Sequence, residues 1–152
     1  MKTAIIIYSK TGNTRGVAKR LETQLKAMNK DVDLLEVVAA SDDPNVVDVK
    51  LVDVPDIAGY DQLIFASPVH AFSLSKIMST YLWQLETLEK KDVKLFVTHF
   101  FPFAWMGGNR TLKQMKSIVE RKLGLVSDVV SINWKSKKRE HVIEDMISRW
   151  SN

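Results

Sequence analysis

The chain has no cysteine, so disulfides, thiolate metal sites and cysteine nucleophiles are all excluded. It also lacks any run approaching the roughly 20 apolar residues that a membrane-spanning helix needs. The apolar stretch Ala4–Tyr8 is too short for a signal-peptide core and has no small-residue cleavage site, so it reads as a strand. Proline and glycine are sparse, four and six in 152 residues, and they do not gather into a linker. Repeats and low-complexity segments are missing too, which leaves one domain over residues 1–152 as the expectation. The three histidines have no ligand spacing and no carboxylate cluster beside them, so no metal site is expected. Hydrolytic chemistry has no support either, because no nucleophile–base pair or paired carboxylates stand out.

What is present is an ordinary globular composition, 45% hydrophobic and 26% charged. The formal net charge is +4. Basic residues are scattered, and the one dense run, Lys135–Arg139, reads as a solvated loop or helix start. We therefore expect no nucleic acid and no membrane partner. Acidic proteins or anionic substrates are the better match for the positive excess. A cytoplasmic location fits the absence of cysteine.

Short apolar runs alternate with amphipathic stretches. Strands are expected at Thr3–Tyr8, Val32–Val38, Gln62–Ala66, Val93–Thr98 and Leu125–Ile132. Helical stripes recur at Ala18, Leu21, Leu25 and Met28, at Leu74 to Leu85, at Leu112 to Leu123, and at Val142 to Trp150. Fully apolar strands separated by such helices imply an α/β fold with a parallel sheet covered on both faces. The segment Ala39–Gly59, with Pro44, Pro55 and five aspartates, permits at most a short or interrupted helix.

In a sheet of this kind ligands bind at the carboxyl ends of the strands, near the switch in strand order. Three loops lie there. The first is Ser9, Lys10, Thr11, Gly12, Asn13 and Thr14, between an apolar strand and a helix start. Its hydroxyls, one glycine and the open N–H groups of a first helical turn make an anion site. Three spaced glycines and Gly-Lys-Ser/Thr are both absent, so dinucleotide and triphosphate loops are excluded. The alternative is a plain strand–helix turn capped by Asn13 or Thr14. The second loop holds Ser67, Pro68, Val69, His70, Ala71, Phe72 and Ser73, with Ser73 or Ser75 able to cap the next helix. The third runs from Thr98, His99 and Phe100 through Phe101, Phe103 and Trp105 to Gly107, Gly108 and Asn109. Four aromatics in one loop need a partner surface: a flat ligand ring, each other, or a second copy of the chain. His70 and His99 can pass a proton or only pack their loops, and His141 is expected in solvent.

The first loop resembles the phosphate-binding loop of flavodoxins, Thr/Ser-x-Thr-Gly-x-Thr, with Ser9, Thr11, Gly12 and Thr14 in place. The segment Gly59–Val69 is similar to the one that leads into the first flavin-flanking loop of that family. There His70 stands where tyrosine is frequent and Phe72 where glycine is, so Phe72 either covers a flavin or fills its space. The resemblance implies a flavodoxin-like, doubly wound five-stranded sheet in order 2-1-3-4-5, with helices on both faces. It implies non-covalent FMN, its phosphate at Ser9–Thr14 and its isoalloxazine between loops 67–73 and 98–109. Three functions follow as expectations: an electron carrier docking with redox proteins; an FMN-dependent NAD(P)H:quinone-type oxidoreductase; or a binding module that keeps the fold without flavin. Either a monomer or a homodimer is compatible with these.

Overall fold

The computed structural model describes residues 1–101 and 107–152. Five parallel strands form the main sheet in the order β2-β1-β5-β7-β8, which is the doubly wound order expected. They are β1 (Lys2–Ile7), β2 (Asp31–Glu36), β5 (Gln62–His70), β7 (Asp92–His99) and β8 (Leu125–Asn133). Two further short strands, β3 (Val38–Ala39) and β4 (Leu51–Asp53), pair antiparallel with each other, and β6 (Ser73–Leu74) folds back on β5. The helices are α1 (Asn13–Ala27), α2 (Lys76–Gln84), α3 (Gly108–Arg121) and α4 (Arg139–Ser151).

The period-2 alternation of the central strands assigns their side chains to two cores. Ala4 and Ile6 of β1, with Leu63 and Phe65 of β5, pack under α2 and α3. Ile5 and Ile7, with Ile64 and Ala66, pack under α1 and α4. Both faces are therefore covered, as a parallel sheet requires. Edge strand β8 is the exception: it alternates between exposed and covered positions, and Leu125 is exposed.

The expected stripes fit with corrections at their ends. Met28 is 44% exposed because α1 stops at Ala27 and Met28 is its C-cap. Leu123 is exposed at φ 72°, one residue past the cap of α3. Leu74 lies in β6, before α2 rather than in it. Region 39–59 contains no helix, only the β3–β4 pair and turns in which Asp43 and Asp56 accept backbone N–H groups two residues on.

The largest departure is at 67–73. Strand β5 continues through His70, so Ser67 to His70 are strand rather than loop. Val69 pairs with Leu74 and His70 with Ser73, which leaves Ala71 and Phe72 as a two-residue turn. Both have positive φ, 47° and 65°, as a primed hairpin turn requires. Alternation of apolar residues gave no sign of this hairpin, because Asn-Gly or a similar turn pair is absent.

Candidate functional site

The carboxyl ends of β1, β5 and β7 converge through hydrogen bonds between neighbouring segments. Tyr8 N–H donates to Ala66 O at 3.1 Å, and Thr14 Oγ1 meets Thr98 Oγ1 at 2.9 Å in a buried contact. The first bond ties the start of the Ser9–Thr14 loop to β5, and the second ties α1 to β7. All three expected loops are thus brought to one edge of the sheet.

At the first loop neither Asn13 nor Thr14 caps the helix. The N-cap is Gly12, at φ 97°, with no side-chain capping bond. Ser9 takes that part instead, its Oγ accepting from Gly12 N–H and Arg15 N–H at 3.2 Å each. Among the described residues, the N–H groups of Lys10, Thr11, Asn13 and Thr14 have no protein acceptor. Gly12 faces open space, since an added Cβ would meet nothing within 4 Å. Four N–H groups without an acceptor among the described residues, at a helix N-terminus and around an uncrowded glycine, have the donor set of a candidate anion site. Thr11 borders it, while the Thr14 hydroxyl is turned inward to Thr98.

At the second loop Ser67 is fully buried, its hydroxyl 3.2 Å from that of Ser75. Ser75, not Ser73, caps α2, accepting from Met78 N–H at 3.1 Å. Pro68, Val69 and His70 are half-buried. His70 meets the Tyr8 ring edge-on at 5.8 Å. Burial lowers the His70 pKa, the Lys10 charge adds to this, and Asp42 opposes it. Tyr8 donates to Asp42 Oδ1 at 3.3 Å, and burial followed by that carboxylate raises its phenol to about 12. Asp42 thus joins the site from region 39–59, which the sequence reading did not single out for it. Beside His70 lies a small cavity of about 260 Å³, bordered by Asp42, Ala71, Leu74 and Ile77.

Phe72, at the hairpin tip, is 46% exposed and stacks on Phe101 of the third loop, centroids 4.2 Å apart and planes at 23°. Gln114 of α3 clamps the hairpin from behind. Its Oε1 accepts from Leu74 N–H at 2.8 Å, and its Nε2 lies 2.9 Å from Ser73 Oγ.

The third loop leaves β7 at Thr98 and His99. Phe100 is exposed and Asn109, in the first turn of α3, is exposed as well. Phe103 and Trp105 lie outside the described residues. His99 is only 3% exposed, and neither ring nitrogen reaches a hydrogen-bond partner among the described residues. Burial lowers its pKa; the nearby Phe101 backbone opposes this without reaching hydrogen-bond geometry. The Oγ of Ser131, also without a partner among the described residues, lies with the His99 ring around the position that a Gly108 side chain would take. A Cβ on Gly108 would stand 2.2 Å from that Oγ and 3.1 Å from His99 Nε2; on Gly107 it would stand 2.8 Å from Val69 Cγ1. Close internal packing therefore accounts for both glycines. Ser131 had no signal in the sequence.

No protein-family model matches the chain, and no curated protein matches it in sequence. Solved structures do match it in three dimensions. Flavodoxin 2 from Bacillus cereus superposes with a TM-score of 0.74 at 14% identity, over 99% of this chain and 98% of that one. The flavodoxin of Streptococcus pneumoniae TIGR4 gives 0.72 at 19%, over 97% and 94%. A flavoprotein from Lactobacillus acidophilus NCFM, solved in complex with FMN, gives 0.69 at 20%, over 99% of each chain. At such identities the likeness speaks for architecture, and with the strand order above it establishes that this chain has the flavodoxin fold.

Proposed function

We propose that this chain binds FMN non-covalently and carries electrons between redox proteins. The observation that carries the reading is the Ser9–Thr14 cradle: open N–H donors and the Thr11 hydroxyl around Gly12, at the switch point of the sheet. A terminal phosphate fits that donor set. The likeness to structures of flavodoxins and of an FMN complex adds support.

The N–H groups of Lys10, Thr11, Asn13 and Thr14 would hold the phosphate, with Ser9 and the Thr14–Thr98 pair keeping the loop in shape. Phe72 and Phe101 offer aromatic faces for the isoalloxazine. Their present 4.2 Å stacking leaves no room between them. A ring inserted there needs about 7 Å, two contact distances of about 3.5 Å, so one of the two must swing aside. Burial disfavours the charged forms of His99 and His70, which favours uncharged hydrogen-bonding groups at this end of the sheet. Bound FMN would supply the electron transfer itself, and this chain's residues would bind, orient and shield it.

The test is an absorbance spectrum after loading with excess FMN and removing the free cofactor, followed by stepwise anaerobic reduction. Retained flavin reduced in two resolved one-electron stages supports the carrier. No retained flavin refutes FMN binding and leaves the binding-module reading. The second reading is an FMN-dependent NAD(P)H:quinone-type oxidoreductase. It is favoured by the cavity beside His70, whose roughly 260 Å³ suits a small acceptor. Steady NAD(P)H oxidation with added quinone, and flavin reduction in a single two-electron stage, would select it.

A further inference from the structure

Helices α2 and α3 leave a long open groove between them, about 1030 Å³ in volume, floored by Leu74 and Ile118. Lys76, Arg110, Lys113 and Arg121 line it, against the single carboxylate of Asp48. Lysines without a carboxylate partner among the described residues also lie elsewhere, at Lys135, Lys137 and Lys138, but here such cations surround a concave surface with an apolar floor. Arg15, Arg20 and Arg149 elsewhere each have a carboxylate partner. Among the described residues Arg110, Lys113 and Arg121 have none. At the far end Trp83 is 45% exposed, with Arg121 and Lys122 held over its ring at 5.9 and 5.8 Å. Val47, on the rim, is almost wholly exposed.

We propose that this groove docks an acidic protein partner. Unpaired cations supply complementarity to carboxylates, and an open indole flanked by arginine is a typical interface anchor. The apolar floor and Val47 ask for apolar side chains among those carboxylates, which a protein surface has and a phosphate backbone lacks. The geometry also links the groove to the ligand edge. Its near end is formed by Ser73 and Asn109, and it runs from there to Arg121, about 18 Å along α3 at 1.5 Å per residue. Gln114 lines the groove and clamps the Phe72 hairpin at once. A partner seated there touches the element that carries Phe72. That the partner exchanges electrons rests on the flavin reading; that it docks does not.

The experiment is an amide chemical-shift titration of the labelled, flavin-free chain with a synthetic helical peptide of glutamate and leucine. A single-stranded oligonucleotide of similar charge is titrated in parallel. Saturable shifts confined to 47–49, 73–83 and 109–121, weakened by salt, are expected. The double reversal Lys113→Glu/Arg121→Glu should raise the peptide Kd about tenfold or more, whereas Lys137→Glu/Lys138→Glu should leave it unchanged. Should the first variant misfold, which its own spectrum reports, Lys113→Gln/Arg121→Gln replaces it. Shifts that are absent, that spread equally to 135–139, or that the oligonucleotide produces more tightly overturn the proposal. Because no flavin is used, failure of FMN binding and failure of docking are read separately.

Discussion

Gly108→Ala is the sharpest test of how the third loop is built. The added methyl would stand 2.2 Å from Ser131 Oγ, about 1 Å inside van der Waals contact, and 3.1 Å from the His99 ring. Rotation of Ser131 relieves the first clash only in part, since that hydroxyl is itself buried against the same turn. Overpacking of this size costs about 1–3 kcal/mol. The better helix propensity of alanine returns up to about 1 kcal/mol, less in a first turn. The net expectation is a loss of about 1–2 kcal/mol, a fall of about 2–8 °C in Tm for a domain of this size. Ser131→Ala removes a hydroxyl that has no partner among the described residues, so alone it should be close to neutral. In Gly108→Ala/Ser131→Ala the oxygen in the way is gone, and stability should return most of the way to the parent. Urea unfolding of the four proteins gives the cycle, with an expected coupling of about 1 kcal/mol. A neutral Gly108→Ala, or a double variant that is simply additive, would refute the packing account.

Phe72→Ala removes one half of a half-exposed stack, so it should change stability by less than about 1 kcal/mol while weakening FMN retention severalfold, read by fluorescence titration; unchanged retention would place the ring elsewhere. All three tyrosines are buried or bonded to carboxylates, and their phenols are raised, Tyr8 and Tyr60 to about 12 and Tyr81 further. Between pH 10 and 12 the unfolded chain has lost protons that the native one keeps, so stability must fall as pH rises there. Ultraviolet titration of phenolate should show ionisation near pH 10 only after unfolding. For His70 and His99 the sign is opposite in direction of pH: both native values lie below 6.5, so stability holds above that pH and declines as the medium is acidified through it. Imidazole proton resonances with midpoints at or above 6.5 in the native protein would contradict their burial.

Much of the fold is legible in the chain because its signals are local. The buried runs Ala4–Ile7 of β1 and Leu63–Ala66 of β5 are wholly apolar, and the helical stripes of α1, α3 and α4 need only periodicity. The first loop is legible for the same reason: hydroxyls, glycine and helix start are contiguous. The rest depends on contacts between distant segments. The Thr14–Thr98 pair and the Asp42–Tyr8 bond each join residues whose meeting no spacing announces. The hairpin at Ala71–Phe72 was hidden by its residues, since neither favours positive φ and the pairing of β6 with β5 overrides that preference. Met28 and Leu123 continue their stripes in sequence, but the helices end before reaching them.

That hairpin has a consequence for how the chain can change. Positions 71 and 72 adopt a backbone that asparagine and glycine enter freely and that alanine and phenylalanine enter at roughly 1–2 kcal/mol apiece. The most stable turn at this place is therefore one without an aromatic ring, and the ring that reaches Phe101 is held against a standing gradient toward its own loss. Selection for heat resistance alone would drift toward a turn that lacks the ring stacked on Phe101. On the flavin reading proposed above, the strained pair marks a position where robustness and recognition pull in opposite directions.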